Sequence, residues 1–198
     1  MTVDENSVFI NGEILYLKVL TSHDVDSTNW YGWFNNEETT SNMQKHYFPN
    51  TIDAQHRFLE STKSDQGKIQ LGIVEKSRHN LIGVVSLNHI DLINRNAEFS
   101  LLIGEKKFRN LKYAEESVFL ILRHAFKSLN LHKVYGGSIE TLDSWVSFLE
   151  KRFGFQREGV QKDHVFKNGK YLDIINFSII SNTFLEKFKD DKIKQSKI

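Results

Sequence analysis

The stretch DHVFKNGKYLDIINFSII, residues 163–180, constrains the fold more than any other part of the chain. Asn168-Gly169 suits a two-residue turn in which both central residues take positive φ, and alternating apolar residues flank it on each side. That pattern predicts an antiparallel hairpin near the C-terminus. Five further segments read as strands: Glu13–Leu20, just after a turn at Asn11-Gly12, then 69–77, 80–90, 96–104 and 133–140. Short polar turns at Arg78–His79 and Leu92–Arg95 join three of them as an antiparallel meander. Four segments have helical patterning: roughly 25–34, then 51–65, 113–129 and 143–153. In the third, Ala114, Val118, Ile121, Leu122, Ala125 and Leu129 form one apolar stripe. In the fourth, Asp143 or Ser144 is the expected cap and Gly154 the left-handed stop. The segment from 96 to 140 runs strand, helix, strand, which favours parallel pairing of its two strands. The expected architecture is α/β: a mixed, mostly antiparallel seven-stranded sheet with helices on both faces.

Length and charge bound what such a sheet serves. The 198 residues suit one domain, 1–198, with a core over about 13–180 and a charged tail over 186–198. Lysine plus arginine number 26 and aspartate plus glutamate 25, a balance that points to neither a nucleic acid nor a membrane as partner. With no cysteine, disulfides, thiolate–metal sites and a cysteine nucleophile are excluded, and no metal is expected. The first residues are polar and acidic, unlike a signal peptide, and no run approaches ~18 apolar residues. A soluble cytoplasmic protein is the simplest expectation.

The loop FRNLKYAEES, residues 108–117, raises the question of function. It follows a strand and opens a helix, where free backbone N–H groups and the helix dipole favour an anion. Phe108 to Ala114 would supply the donors, with Arg109 and Lys112 as nearby cations. A solvated surface turn explains the same residues locally.

The order of the motifs favours the anion site. NAEFSLLIG (96–104), the loop Arg109-Asn110-Leu111-Lys112-Tyr113-Ala114, HKVYGGSIE, FLEKRFGFQREG and the closing hairpin together resemble the GNAT superfamily of acetyl-CoA-dependent N-acetyltransferases. The family's loop reads Arg or Gln, two residues, Gly, one residue, then Gly or Ala; here the first and last positions match and Lys112 replaces the central glycine. The resemblance covers about Glu13 to Ile180. It implies that Phe108, Arg109, Asn110, Leu111, Lys112, Tyr113 and Ala114 seat the pyrophosphate of coenzyme A. It further implies that the backbone of Leu101, Leu102 and Ile103 holds the pantetheine arm and offers an N–H to the carbonyl oxygen of the thioester. Lys151 is assigned to the cofactor, as is the family's pantetheine-binding asparagine, whose column holds Leu142 or Asp143; Asp143 is the chemically plausible one.

Acetyl transfer also needs a base, because an ammonium has no lone pair. Glu98 has the spacing of the glutamate used by many members, and it reads equally as an exposed strand carboxylate. The family's acid is often a tyrosine in the last large helix; here that column holds Leu149 or Glu150, and the acid is unassigned. Trp30, Trp33, Asn35, His46 and His89 are the expected acceptor-site residues, although some of the rings must anchor a helix and a lone histidine is more often structural. WYGWFNNEETTSNM is similar to the opening of members that acetylate nucleotide-linked amino sugars, the acceptor that this resemblance favours. The closing hairpin is shared with protein Nα-acetyltransferases, which stand second. A coenzyme A-binding module without catalysis is the third reading. Exposed sheet edges leave a homodimer open.

Overall fold

The computed structural model describes residues 7–44 and 47–190. Its strands are β1 (Val8–Asn11), β2 (Leu15–Val19), β3 (Ile69–Glu75), β4 (Leu81–Asp91), β5 (Asn96–Ile103), β6 (Lys133–Ile139), β7 (Gln156–Lys167) and β8 (Lys170–Ile180). Its helices are α1 (Ser22–Ser27), α2 (Trp30–Trp33), α3 (Glu37–Thr40), α4 (Ile52–Ser64), α5 (Leu111–Arg123), α6 (Asp143–Phe153) and α7 (Ser181–Lys187).

The strands form one mixed sheet in the order β1-β2-β3-β4-β5-β6-β8-β7. Only β5 and β6 run parallel; every other pair is antiparallel. The sheet has eight strands rather than seven. The added strand is β1, which the Asn11-Gly12 region folds back onto β2. Four residues at a sheet edge carry too little alternation to read as a strand.

The Asn168-Gly169 turn forms as expected, with φ of 50° and 77° at its two residues. β7 extends back to Gln156, further than alternation suggests, because two register shifts break its period. The helix expected over 25–34 is two short helices. At the start of α1 the Asp24 carboxylate accepts from Thr21 N–H at 2.8 Å and from Thr21 Oγ1 at 2.9 Å, while Asp24 N–H donates to Thr21 O. The break that follows lets Trp30 and Trp33 sink into the sheet. α6 spans the expected residues and ends at Gly154 with φ 92°. Leu142, not Asp143 or Ser144, occupies its N-cap position.

Two apolar layers hold the sheet. On one face Val118, Phe119, Leu120, Ile121 and Leu122 of α5 pack with Val146, Leu149 and Phe153 of α6. On the other, Val25, Trp30, Trp33 and Leu59 from α1, α2 and α4 cover Tyr16, Val74 and Val84. β3 and β4 are therefore covered on both sides and read as near-continuous apolar runs. The expected tail begins inside α7, which buries Phe184, and Phe188 just beyond it is buried too. Residues 191–198 lie outside the described residues, as do Lys45 and His46.

Candidate active site

β5 and β6 pair over three residues, Asn96 with Lys133, Ala97 with Val134 and Glu98 with Tyr135, and then part. Beyond Phe99 no strand among the described residues is paired with that edge of β5, so backbone groups pointing that way face a gap. A cleft of about 670 Å³ opens there, lined by Phe99, Ser100, Leu101 and Leu102 on one side and Gly137, Ser138 and Ile139 on the other. Leu142 and Trp145, at the start of α6, close its far end.

Alternation along β5 decides which side chains enter the cleft. Ala97, Phe99 and Leu101 face α5 and the large core. Glu98, Ser100 and Leu102 therefore face the side covered by α1, α2 and α4. Glu98 lies at the point where the two strands part, half-exposed, with His89 Nδ1 3.0 Å from its Oε2. His89 reaches it from an irregularity in β4: the register shifts between Asn88 and Asp91, and His89 has φ 50°. The pKa of Tyr135, paired with Glu98 across the junction, is raised by burial and then by the charges of Glu98 and Asp91.

A polar strip forms the floor beside Glu98. Ser86 Oγ lies 2.6 Å from Ser100 Oγ, and Asn88 Nδ2 donates to Ser86 Oγ at 3.0 Å. These three residues were absent from the expected set. Their signal was present in the alternate polar positions of β4, Ser86 and Asn88, inside an otherwise apolar run. The opposite wall carries Trp30, Phe34, Phe48, Gln55 and Phe58. Gln44 reaches across from the segment after α3, its Nε2 donating to Gly137 O at 2.8 Å; nothing local in the sequence marks it.

The loop after β5 is tighter than expected. Residues Lys106–Phe108 form a single 3₁₀ turn, and α5 begins at Leu111, two residues before the expected start. Asn110 is its N-cap: Oδ1 accepts from Lys112 N at 3.1 Å and from Tyr113 N at 3.4 Å. Of the backbone donors assigned to pyrophosphate, Lys112 and Tyr113 N–H thus have a side-chain acceptor in place, while Phe108, Arg109, Asn110 and Ala114 N–H donate to the carbonyls of Glu105, Lys106, Phe108 and Asn110. Lys112 lies in the first helical turn and is not among the residues of positive φ, so glycine's freedom is not required there. Its side chain is exposed. Phe108 packs edge-on against Tyr113, their centroids 5.1 Å apart, and Ala114 is buried.

Arg109 does not offer its side chain to this seat. Its Nη2 donates to Thr39 Oγ1 at 2.7 Å and Gly104 O at 3.0 Å, its Nε to Ile103 O at 3.1 Å, and Nη1 pairs with Glu38 at 3.3 Å. It clips α3 onto the end of β5. Leu101 and Leu102 line the cleft and Ile103 does not; Ile103, like Leu101, packs against the large core.

The remaining expected residues are dispersed. Trp30 lines the cleft wall; Trp33 is buried outside it, donating Nε1–H to Glu105 Oε1 at 3.0 Å. Asn35 exchanges two hydrogen bonds with Asn50 and so pins the returning loop. His46 lies outside the described residues. Asp143 is turned to Arg157 at 2.6 Å, whose hydrogen bond holds the Asp143 carboxyl below its ordinary range, and Lys151 is exposed on α6. Neither lines the cleft. The two columns left open for an acid are also settled in place: Leu149 is fully buried, and Glu150 is bonded to Arg157.

A family model described as an acetyltransferase (GNAT) domain matches residues 15–141. A spermidine N(1)-acetyltransferase of Vibrio cholerae is 31% identical over 115 residues, which spans 58% of this chain and 65% of that relative, less than two thirds of its length. An uncharacterised N-acetyltransferase of Bacillus subtilis, YoaA, is 26% identical over 171 residues, 84% of this chain and 93% of its own. Among solved structures, a spermidine N-acetyltransferase from Vibrio cholerae in complex with CoA and spermine superposes with a TM-score of 0.80 at 25% identity. That match covers 88% of this chain and 99% of the other.

Proposed function

The chain belongs to the GNAT acetyltransferase family, and from that premise we propose that it moves the acetyl group of acetyl-CoA to a small-molecule primary amine, with Glu98 as the base. The observation that carries this reading is the parting of β5 and β6 with Glu98 at the junction. The open edge of β5 fits an extended amide-bearing arm, which can pair with a strand as another strand would. The N-terminus of α5 fits a diphosphate, with Lys112 and Tyr113 N–H as donors once Asn110 Oδ1 yields.

When bound, acetyl-CoA supplies an acetyl group already activated as a thioester. The chain's own residues do the rest. The strands fix the acceptor nitrogen beside the acyl carbon, which removes the entropic cost of encounter. Glu98 would take the one proton that an amine entering neutral sheds as its N–C bond forms and the thioester C–S bond breaks, with the coenzyme A sulfur leaving as the thiolate. His89, 3.0 Å behind the carboxylate, limits its rotation.

The acceptor is set by charge and size. A nucleotide diphosphate would need paired cations, and among the described lining residues there is one lysine, Lys68, and no arginine. The nucleotide-linked sugar expected from the sequence therefore has little to hold its phosphates. A polyamine is a second reading, favoured by the spermidine acetyltransferase relative and by two carboxylates in the lining, Asp65 and Glu98.

Release of the coenzyme A thiol from acetyl-CoA, followed across spermidine, free amino sugars, a nucleotide amino sugar and N-terminal peptides, tests these readings. We expect turnover of a free small amine and none of peptides. Glu98→Gln is expected to lower kcat/KM by about 10²- to 10⁴-fold with KM for acetyl-CoA little changed. Full activity of that variant would remove Glu98 as the base. Coenzyme A binding without turnover of any amine would favour a non-catalytic module.

A further inference from the structure

Two buried side-chain atoms among the described residues lack a hydrogen-bond partner: Trp30 Nε1 and Gln55 Nε2. Both belong to residues on the same wall of the cleft, one on α2 and one on α4. Their burial is nearly complete, with 0% of Trp30 and 2% of Gln55 exposed. They are close in the fold: Phe58, one helical turn from Gln55, packs edge-on to Trp30 with centroids 6.3 Å apart. The orientation of the Gln55 amide is fixed from outside. Asn50 Nδ2 donates to Gln55 Oε1 at 2.8 Å and to Tyr31 O at 3.3 Å, so the Gln55 oxygen is engaged and its NH₂ is left over.

This is unusual in two respects. Buried polar atoms are nearly always paired, and an orphaned one costs about 1–3 kcal/mol. Trp33, three residues from Trp30, obeys the rule through Glu105. Both orphans are also donors, so an oxygen acceptor is the kind of partner that each lacks. Around Trp30 the packing is apolar, with Phe34, Phe58 and Val84 in one cluster, while Gln55 meets the neutral Asn50 amide. A neutral oxygen is better housed there than a charged one.

We propose that Trp30 and Gln55 form a subsite for an uncharged oxygen of the acceptor, so that the preferred substrate is an amine bearing a hydroxyl or carbonyl group away from its reacting nitrogen. The assignment rests on the reading of the cleft as the acceptor site. Neither donor is reached by solvent, so the oxygen enters with the substrate as the wall adjusts around it. Such donors discriminate strongly, because a ligand without the oxygen leaves them unpaired. A protonated polyamine, which carries only N–H donors, is such a ligand.

The test compares amines that differ in the oxygen: 6-amino-1-hexanol against hexylamine, and glucosamine against cyclohexylamine, with spermidine as a fifth probe. Wild-type protein is expected to show KM values about tenfold lower for the oxygen-bearing member of each pair, the equivalent of one hydrogen bond. Gln55→Met, close in shape and without the donor, is expected to erase most of that ratio while leaving the KM for acetyl-CoA in place. Trp30→Phe should act in the same direction; because Trp30 is a core residue, Gln55→Met carries the decision. Equal KM values within both pairs, or an unchanged ratio in Gln55→Met, would overturn the proposal. If no amine is turned over, the acetyl-transfer reading fails separately, and calorimetry of glucosamine binding to wild type and Gln55→Met decides the subsite: equal affinities, or no binding to either protein, overturn it.

Discussion

Asn110 is the N-cap of α5 and occupies the backbone donors of Lys112 and Tyr113. Under the proposed function these are groups that a phosphate would take, so the cap and the ligand would compete. An aspartate caps as well as an asparagine and adds a favourable charge at the helix N-terminus, but it repels a phosphate. Asn110→Asp is therefore expected to keep or raise the thermal midpoint while weakening coenzyme A binding by about tenfold, roughly the scale of one charge at a helix terminus. Parallel thermal melts and calorimetric titrations check it; unchanged affinity would move the phosphates elsewhere. The sequence marks this loop as the start of a helix but does not show where its side chains go. Arg109 reads as a phosphate ligand because it is cationic and next to the site. Its four partners, Ile103, Gly104, Glu38 and Thr39, arise from two elements that the linear pattern could not bring together.

At the level of elements, α5 is held to the first hairpin by a buried carboxylate. Glu116 is 6% exposed and accepts from the backbone N–H groups of Glu13 and Ile14, the latter at 3.1 and 3.2 Å. Burial, its largest influence, raises its pKa, and the backbone hydrogen bonds offset only part of that. A carboxyl with a raised folded pKa gives its full contribution to stability below its unfolded pKa, and loses it as pH rises through the folded value. The difference in unfolding free energy between wild type and Glu116→Gln should accordingly vary with pH. Relative to the variant, wild type is favoured most at acidic pH and less toward neutrality. The amide also places an NH₂ against backbone donors, a loss of about 1–3 kcal/mol at pH 7. Urea titrations at pH 4 and pH 7 measure both; a pH-independent difference would refute the linkage. Elements with strong periodicity, such as α5 and the β7–β8 hairpin, were legible in the sequence. β1 was not, because four edge residues show no period, and neither was the division of α1 from α2, where burial of Trp30 and Trp33 overrides local helix continuity.

Across the whole molecule, the last helix completes the large core. Phe184 is fully buried, with ring centroids 5.8 Å from Phe119, 5.4 Å from Phe126 and 4.9 Å from Phe188. Phe184→Ala is expected to cost about 3–5 kcal/mol, read as a lower urea midpoint at unchanged slope. A loss below about 1 kcal/mol would mean that α7 is a surface addition rather than part of the core. The charges of residues 186–198 concealed this, since the two phenylalanines sit beside a lysine-rich run. The sheet-and-helix order, the hairpin, the family resemblance and the place of Glu98 on a strand are legible in the sequence, because periodicity, turn chemistry and motif order are local or ordered along the chain. The folded chain adds where β5 leaves β6, that Gln44 crosses to Gly137, and that Trp30 Nε1 and Gln55 Nε2 lack hydrogen-bond partners on one wall. Those features depend on which distant side chains meet and which backbone groups go unpaired, and that is settled by packing in three dimensions.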